Sequence, residues 1–167
     1  MATLEPMLQE FHNEAAVTRR VLERVPADQL GWKPHPKSVS LGQLAQHIAT
    51  LPGGIAKIVQ LDTFDLPAQA FTFPEPQHTA EVHEAFEQSV RDAEAYLMTV
   101  TEEAAAAPWR LAKGNKVLLE MPRSAALRML MFSHWFHHRG QLSVYLRILD
   151  VALPSIYGPS ADESPFA

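Results

Sequence analysis

The stretch FSHWFHHRGQLSVY, residues 132 to 145, places His134, His137 and His138 within five positions, directly after a run rich in leucine, methionine and phenylalanine. A neutral imidazole buried among apolar side chains still carries ring nitrogens that need partners, and leaving such a group unpaired costs about 1 to 3 kcal/mol. His134 and His138 stand four residues apart. On a helix that spacing puts them on one face, about 6 Å apart along the axis, with both side chains leaning toward the same point. Zinc-type sites use this spacing on helices, and one divalent ion would satisfy both rings together. His137 lies about 100° around the same helix from His138 and cannot share its face.

Two ligands leave a transition metal under-coordinated, so a third is required. His47 is the candidate: it follows Leu44 by three residues and precedes Leu51 by four, at the edge of another apolar stripe. Three imidazoles suit Zn²⁺, Ni²⁺, Fe²⁺ and Cu²⁺ about equally. They also leave a coordination position for water or substrate, the layout of reactive sites. The competing interpretation makes each histidine a hydrogen-bonded core residue, the commoner fate of a histidine on a helix seam. Residue type and spacing alone do not choose between the two. His12, His35, His78 and His83 have no partner at ligand spacing and are expected on the surface, in loops or at helix edges. Arg139 and Gln141 flank the pair and are expected in a helix-surface ion pair or an amide contact. Helical spacing sets no carboxylate beside His134 or His138, so a general base would have to come from elsewhere, for example from Asp162 or Glu163 if the tail folds back.

Four long segments, separated by proline-containing stretches at 25 to 38, 65 to 77 and 107 to 123, must position these residues. In the first, Leu4, Leu8, Phe11, Ala15, Thr18, Leu22 and Val25 form the stripe of an amphipathic helix. The second opens at Ser40, an N-cap that Gln43 completes as a capping box, and its seam runs from Leu41 through Ile48 and Ile55 to Ile58. The third is opened by Thr79, with Glu81 in its positive first turn, and carries Val82, Phe86, Val90, Ala93, Leu97 and Val100. The fourth starts near Pro122, with a seam of Leu127, Met131, His134, His138, Leu142, Tyr145 and Leu149. The expected fold is all-α, a four-helix bundle formed as one domain over residues 1–167, with the site between facing helices. Residues 109 to 120 alternate weakly, which allows a short extended hairpin before the last helix. Phe132, Trp135 and Phe136 fall off the histidine seam; such aromatics are usually core, but the fourth helix is then apolar on more than one face, and a homodimer surface is the expected use of the excess.

Composition removes several function classes. The chain has no cysteine, which excludes disulfides, thiolate metal sites and cysteine nucleophiles. Its formal net charge is −5 and its basic residues are scattered, so the electrostatic footprint of a nucleic-acid binder is missing. Glu5 and Glu10 interrupt what would be the apolar core of a secretion signal, and no apolar run suits a membrane span. A soluble cytoplasmic protein acting on a small molecule is expected, with neither nucleic acid nor membrane as partner.

WKPHPKSVSLGQLAQHIATLPG, with His47, followed about ninety residues later by HWFHHRGQLSVYLRILDVALPSIYGPSADE, resembles the DinB/YfiT-like family of bacterial four-helix-bundle metalloproteins. The resemblance covers nearly the whole chain. It implies a bundle of unusual helix order, frequent dimerisation, and a divalent metal, zinc or nickel, held by a histidine triad that maps onto His47, His134 and His138. Better-understood relatives in the wider superfamily are metal-dependent transferases that use low-molecular-weight thiols such as bacillithiol or mycothiol. On that analogy the open position would bind the thiol's sulfur and lower its pKa. Two alternatives stand beside it: a metal-dependent hydrolase whose ion lowers the pKa of bound water, and a non-catalytic stress-response protein whose metal only fastens helix two to helix four.

Overall fold

A computed structural model describes residues 4–69 and 72–166 of the chain. The helices are α1 (Leu4–Leu22), α2 (Leu41–Gln60), α3 (Thr79–Thr99), the short α4 (Glu102–Ala106) and α5 (Arg123–Ala126), and α6 (His134–Ile148). Three strands, β1 (Thr63–Asp65), β2 (Pro108–Lys113) and β3 (Lys116–Pro122), form one small sheet. The chain is thus mostly helical, as its periodicity predicts, but the sheet is an addition to the all-α expectation. The weak alternation over 109 to 120 is a true antiparallel hairpin of β2 and β3, and β1 joins it in parallel, Phe64 opposite Leu111. Arg123, at the end of this hairpin, caps the C-terminus of α2: its guanidinium donates to the carbonyls of Val59 (2.6 Å) and Ala104 (3.1 Å) and pairs with Asp62.

The long helices close on one another in the order α1, α3, α2, α6, with α6 returning to α1. Their shared core takes Phe11 and Leu22 from α1, Leu41, Leu44 and Ile48 from α2, and Phe86 and Leu97 from α3, largely the residues the seams predict. The Ser40–Gln43 capping box is present, with Gln43 N donating to Ser40 Oγ at 3.1 Å and Ser40 N to Gln43 Oε1 at 3.0 Å. At α3 the cap sits one residue earlier than predicted, on His78, and Glu81 accepts from the backbone N–H groups of Gln77 and His78. Gly53 lets α2 and α3 approach closely, since a Cβ there would lie 3.0 Å from the Ser89 backbone.

The last helical run departs furthest from expectation. Between α5 and α6, residues Leu127–Ser133 are π-helical. Each wide turn takes up one residue more than an α-turn, so after Met131 the fully buried line moves by one residue, from His134 and His138 to Trp135 and Arg139, and rejoins the predicted seam at Leu142. The buried line is Leu127, Met131, Trp135, Arg139, Leu142 and Leu146. Phe132 and Trp135 are wholly buried and Phe136 packs against the core, so the homodimer surface expected from these aromatics is not built from them. Arg139, expected at the surface, is 2 % exposed. It pairs with Glu14 at 2.6 Å and donates to Thr18 Oγ1 at 3.0 Å and to the Tyr157 hydroxyl at 2.5 Å.

Pro52 links this register to α2. A proline lacks the N–H that would close the turn onto the carbonyl four residues back, so the Ile48 carbonyl is without its helical donor. The buried Trp135 indole donates to it at 3.0 Å. Trp135→Phe should therefore cost about 1 to 3 kcal/mol of stability through an unpaired buried carbonyl. The penalty should shrink in a Pro52→Ala background, where the helix regains an N–H; a double-mutant cycle by urea denaturation measures that coupling, and additive penalties would contradict it.

Candidate metal centre

α2 and α6 bring His47, His134 and His138 together. One ring nitrogen of each lies within 4.8 Å of the others, a grouping able to hold a metal ion. His134 Nε2 is 3.5 Å from His47 Nε2 and 2.8 Å from His138 Nε2. His137 is exposed and stands outside the cluster, as helical geometry requires.

The protonation pattern suits a cation. His138 Nδ1 lies 2.7 Å from Gln141 Oε1. An amide oxygen only accepts, so Nδ1 carries the ring proton and Nε2 presents a bare lone pair to the cluster. His134 Nε2 faces that lone pair at 2.8 Å, a hydrogen-bonding distance. Without an ion the neutral His134 tautomer protonated on Nε2 can donate across this gap, and a divalent cation would take both lone pairs in its place. The charged imidazolium is disfavoured: burial pulls His47 down to about 4, helped by the neighbouring His138 and His134 rings, and burial also lowers His134 and His138. A tetrahedral ion with nitrogen ligands at about 2.0 to 2.1 Å would set nitrogens about 3.3 Å apart, close to the spacing of His47 and His134. The donor set fits a divalent metal.

Beside the triad lies a cavity of about 490 Å³. Phe73 closes one side, its ring edge-on to His47 at 4.8 Å between centroids, and its carbonyl accepts from Gln43 at 3.0 Å. Among the described residues no Asp, Glu, Lys or Arg lines the cavity. The tail does fold back, but Asp162 pairs with Arg147 and Glu163 with Arg20, away from the imidazoles. His12 pairs with Glu94 at 2.7 Å. Sequence reasoning brought all three clustered histidines into view and an amide contact for Gln141, but not that the amide's partner is His138, its helical neighbour three positions back. Phe73 lies in a proline-containing connection with no periodicity to betray it.

Fold and site together define a mostly helical protein with a three-histidine cluster, able to hold a metal, at the edge of an apolar cavity. The chain belongs to the DinB family, whose model matches residues 1–165. It is similar to an uncharacterized Bacillus subtilis protein, YrdA, with 27 % identity over 161 residues, covering 96 % of this chain and 92 % of that protein. Among solved structures it resembles a DinB-like protein of Bacillus cereus (TM-score 0.72, 24 % identity, 92 % of this chain and 97 % of that one). It also resembles the DinB-like protein YjoA of Bacillus subtilis (TM-score 0.67, 22 % identity, 87 % of this chain and 92 % of that one). These likenesses concern the fold. No helix among the described residues is long and apolar enough to cross a membrane.

The depressed His47 has a thermodynamic consequence. Between its ordinary pKa of 6.5 and its folded value of about 4, the unfolded chain binds a proton that the folded chain refuses. Metal-free protein should lose stability as pH falls through this window, with no contribution from His47 above it. Urea midpoints between pH 7.5 and 4.5 measure the slope, and His47→Gln should flatten part of it.

Proposed function

We propose that this protein is a metal-dependent enzyme of the thiol-transferase type. In this reading His47, His134 and His138 hold a divalent ion, zinc or nickel, and the adjoining cavity receives an electrophile that is attacked by the sulfur of a low-molecular-weight thiol. When bound, the ion supplies a Lewis acid that favours thiolate over thiol at neutral pH. Gln141 keeps the inward nitrogen of His138 unprotonated, and such outer partners orient and tune metal ligands.

One observation carries the reading: the triad opens onto a cavity of about 490 Å³ instead of being closed by a fourth protein donor among the described residues. Structural sites close with four ligands, and reactive ones keep a position free, which favours a catalytic centre over a metal that merely fastens α2 to α6. Activation of water for hydrolysis is aided by a base within hydrogen-bond reach. Among the described residues the cavity wall has no carboxylate. A thiol whose pKa the ion lowers gives its proton to bulk solvent before it attacks, so it needs no base on the wall.

His47→Ala should lose stoichiometric metal while remaining helical, as read by elemental analysis of untagged protein and by circular dichroism. Gln141→Leu should weaken metal binding about 10- to 100-fold in a chelator competition. Metal-loaded protein should consume an uncharged electrophile such as chlorodinitrobenzene only when thiol is added. Consumption without thiol would favour hydrolysis.

A further inference from the structure

The cavity follows one face of α2. His47, Thr50, Leu51, Gly54, Ile55 and Ile58 all line it. They recur at helical spacing, and eleven residues of helix span about 16 Å. The imidazoles stand at one end. Near the other, Trp109 donates its indole N–H to the Ile58 carbonyl at 3.4 Å. The sheet supplies the facing wall through Phe64 and Leu111, paired across β1 and β2. Among the described residues, the polar side chains on the lining besides the imidazoles and the Trp109 indole are those of Thr50 and Thr72. The Thr50 hydroxyl donates to its own helix, to the Gln46 carbonyl at 2.9 Å.

These walls hold half-buried apolar residues, Ile55, Ile58, Phe64 and Leu111 among them, where a filled core would bury them fully. Covering such surface is worth about 25 cal/mol per Å², and a volume of about 490 Å³ lies in the range of small-molecule sites. A carboxylate or ammonium placed along the wall would be desolvated with no counter-charge, which costs several kcal/mol. We infer that the cavity binds an elongated, uncharged, predominantly hydrocarbon molecule, lying along α2 with its one polar or reactive end at the histidines. This rests on the proposed enzyme's need to receive an electrophile and names the chemical class of that electrophile.

Gly54 provides the test. A Cβ there meets no atom within 4 Å, so the helix accepts a side chain, and a large one would occupy the middle of the stripe without touching the triad. The binding assay uses metal-free protein at pH 8, which separates this inference from the metal reading, and the uncharged dye N-phenylnaphthylamine as probe. One dye should bind per chain and be displaced by decanol, with decanoate and decylammonium at least tenfold weaker. Gly54→Phe should weaken dye binding at least tenfold while retaining the metal content of the parent. If Gly54→Phe does not fold, Leu111→Glu on the facing strand should weaken the dye to the same degree. Equal displacement by the charged competitors, or dye binding unchanged in the folded variant, would overturn the inference whatever the metal content. Affinity that falls as protein concentration rises would assign the cavity to a second copy of the chain and overturn it equally. Loss of metal binding with these dye results intact would sink the enzyme reading alone.

Discussion

The Trp135 indole and the Ile48 carbonyl hold the centre together. Pro52 leaves that carbonyl without a helical donor, and the large aromatic that supplies one is next in sequence to His134, while the carbonyl itself is next to His47. A single buried hydrogen bond therefore sets α6 against α2 at the level of the imidazoles. A proline inside a helix costs about 3 kcal/mol or more in isolation. Here part of that cost is met by a contact that also fixes the distance between ligand-bearing helices. The π-helical turns just before His134 complete the arrangement, since π-bulges within helices often accompany functional sites.

Charge is partitioned with equal care. Arg139, adjacent to His138, points into the core and is matched by Glu14, Thr18 and Tyr157, whose hydroxyl in turn donates to Glu14 at 2.9 Å. A buried guanidinium with these partners is satisfied, and it fastens the C-terminal tail to α1 without adding charge to the cavity. Arg20, Arg147 and Arg123 each take a carboxylate elsewhere. Among the described residues the imidazoles are thus left as the only ionisable groups on the cavity lining, and burial favours their neutral form.

Much of this was legible in the residues themselves. The pair His134 and His138 and the seam position of His47 follow from helical spacing, and the Ser40–Gln43 cap from residue type. What escaped was non-local. β1 is three residues long, too short for a period to show, and pairs with a strand more than forty positions away. The π-helical segment obeys neither of the two usual periods, so Trp135 and Phe132 read as surplus when they are core, and Arg139 read as surface. Ile55 and Ile58 were placed correctly on the inward stripe, yet a stripe cannot say whether the neighbouring volume is filled. The sheet leaves it open.

That open volume implies a particular thermodynamic character for whatever enters it. With no fixed charge on the wall, the protein's field offers little steering, so capture would proceed at the unassisted encounter rate and depend weakly on ionic strength. The driving force would be release of hydration water, recognisable calorimetrically as a negative heat-capacity change. Sulfate or phosphate salts, which strengthen apolar burial, would tighten the complex where screening would loosen an ionic one.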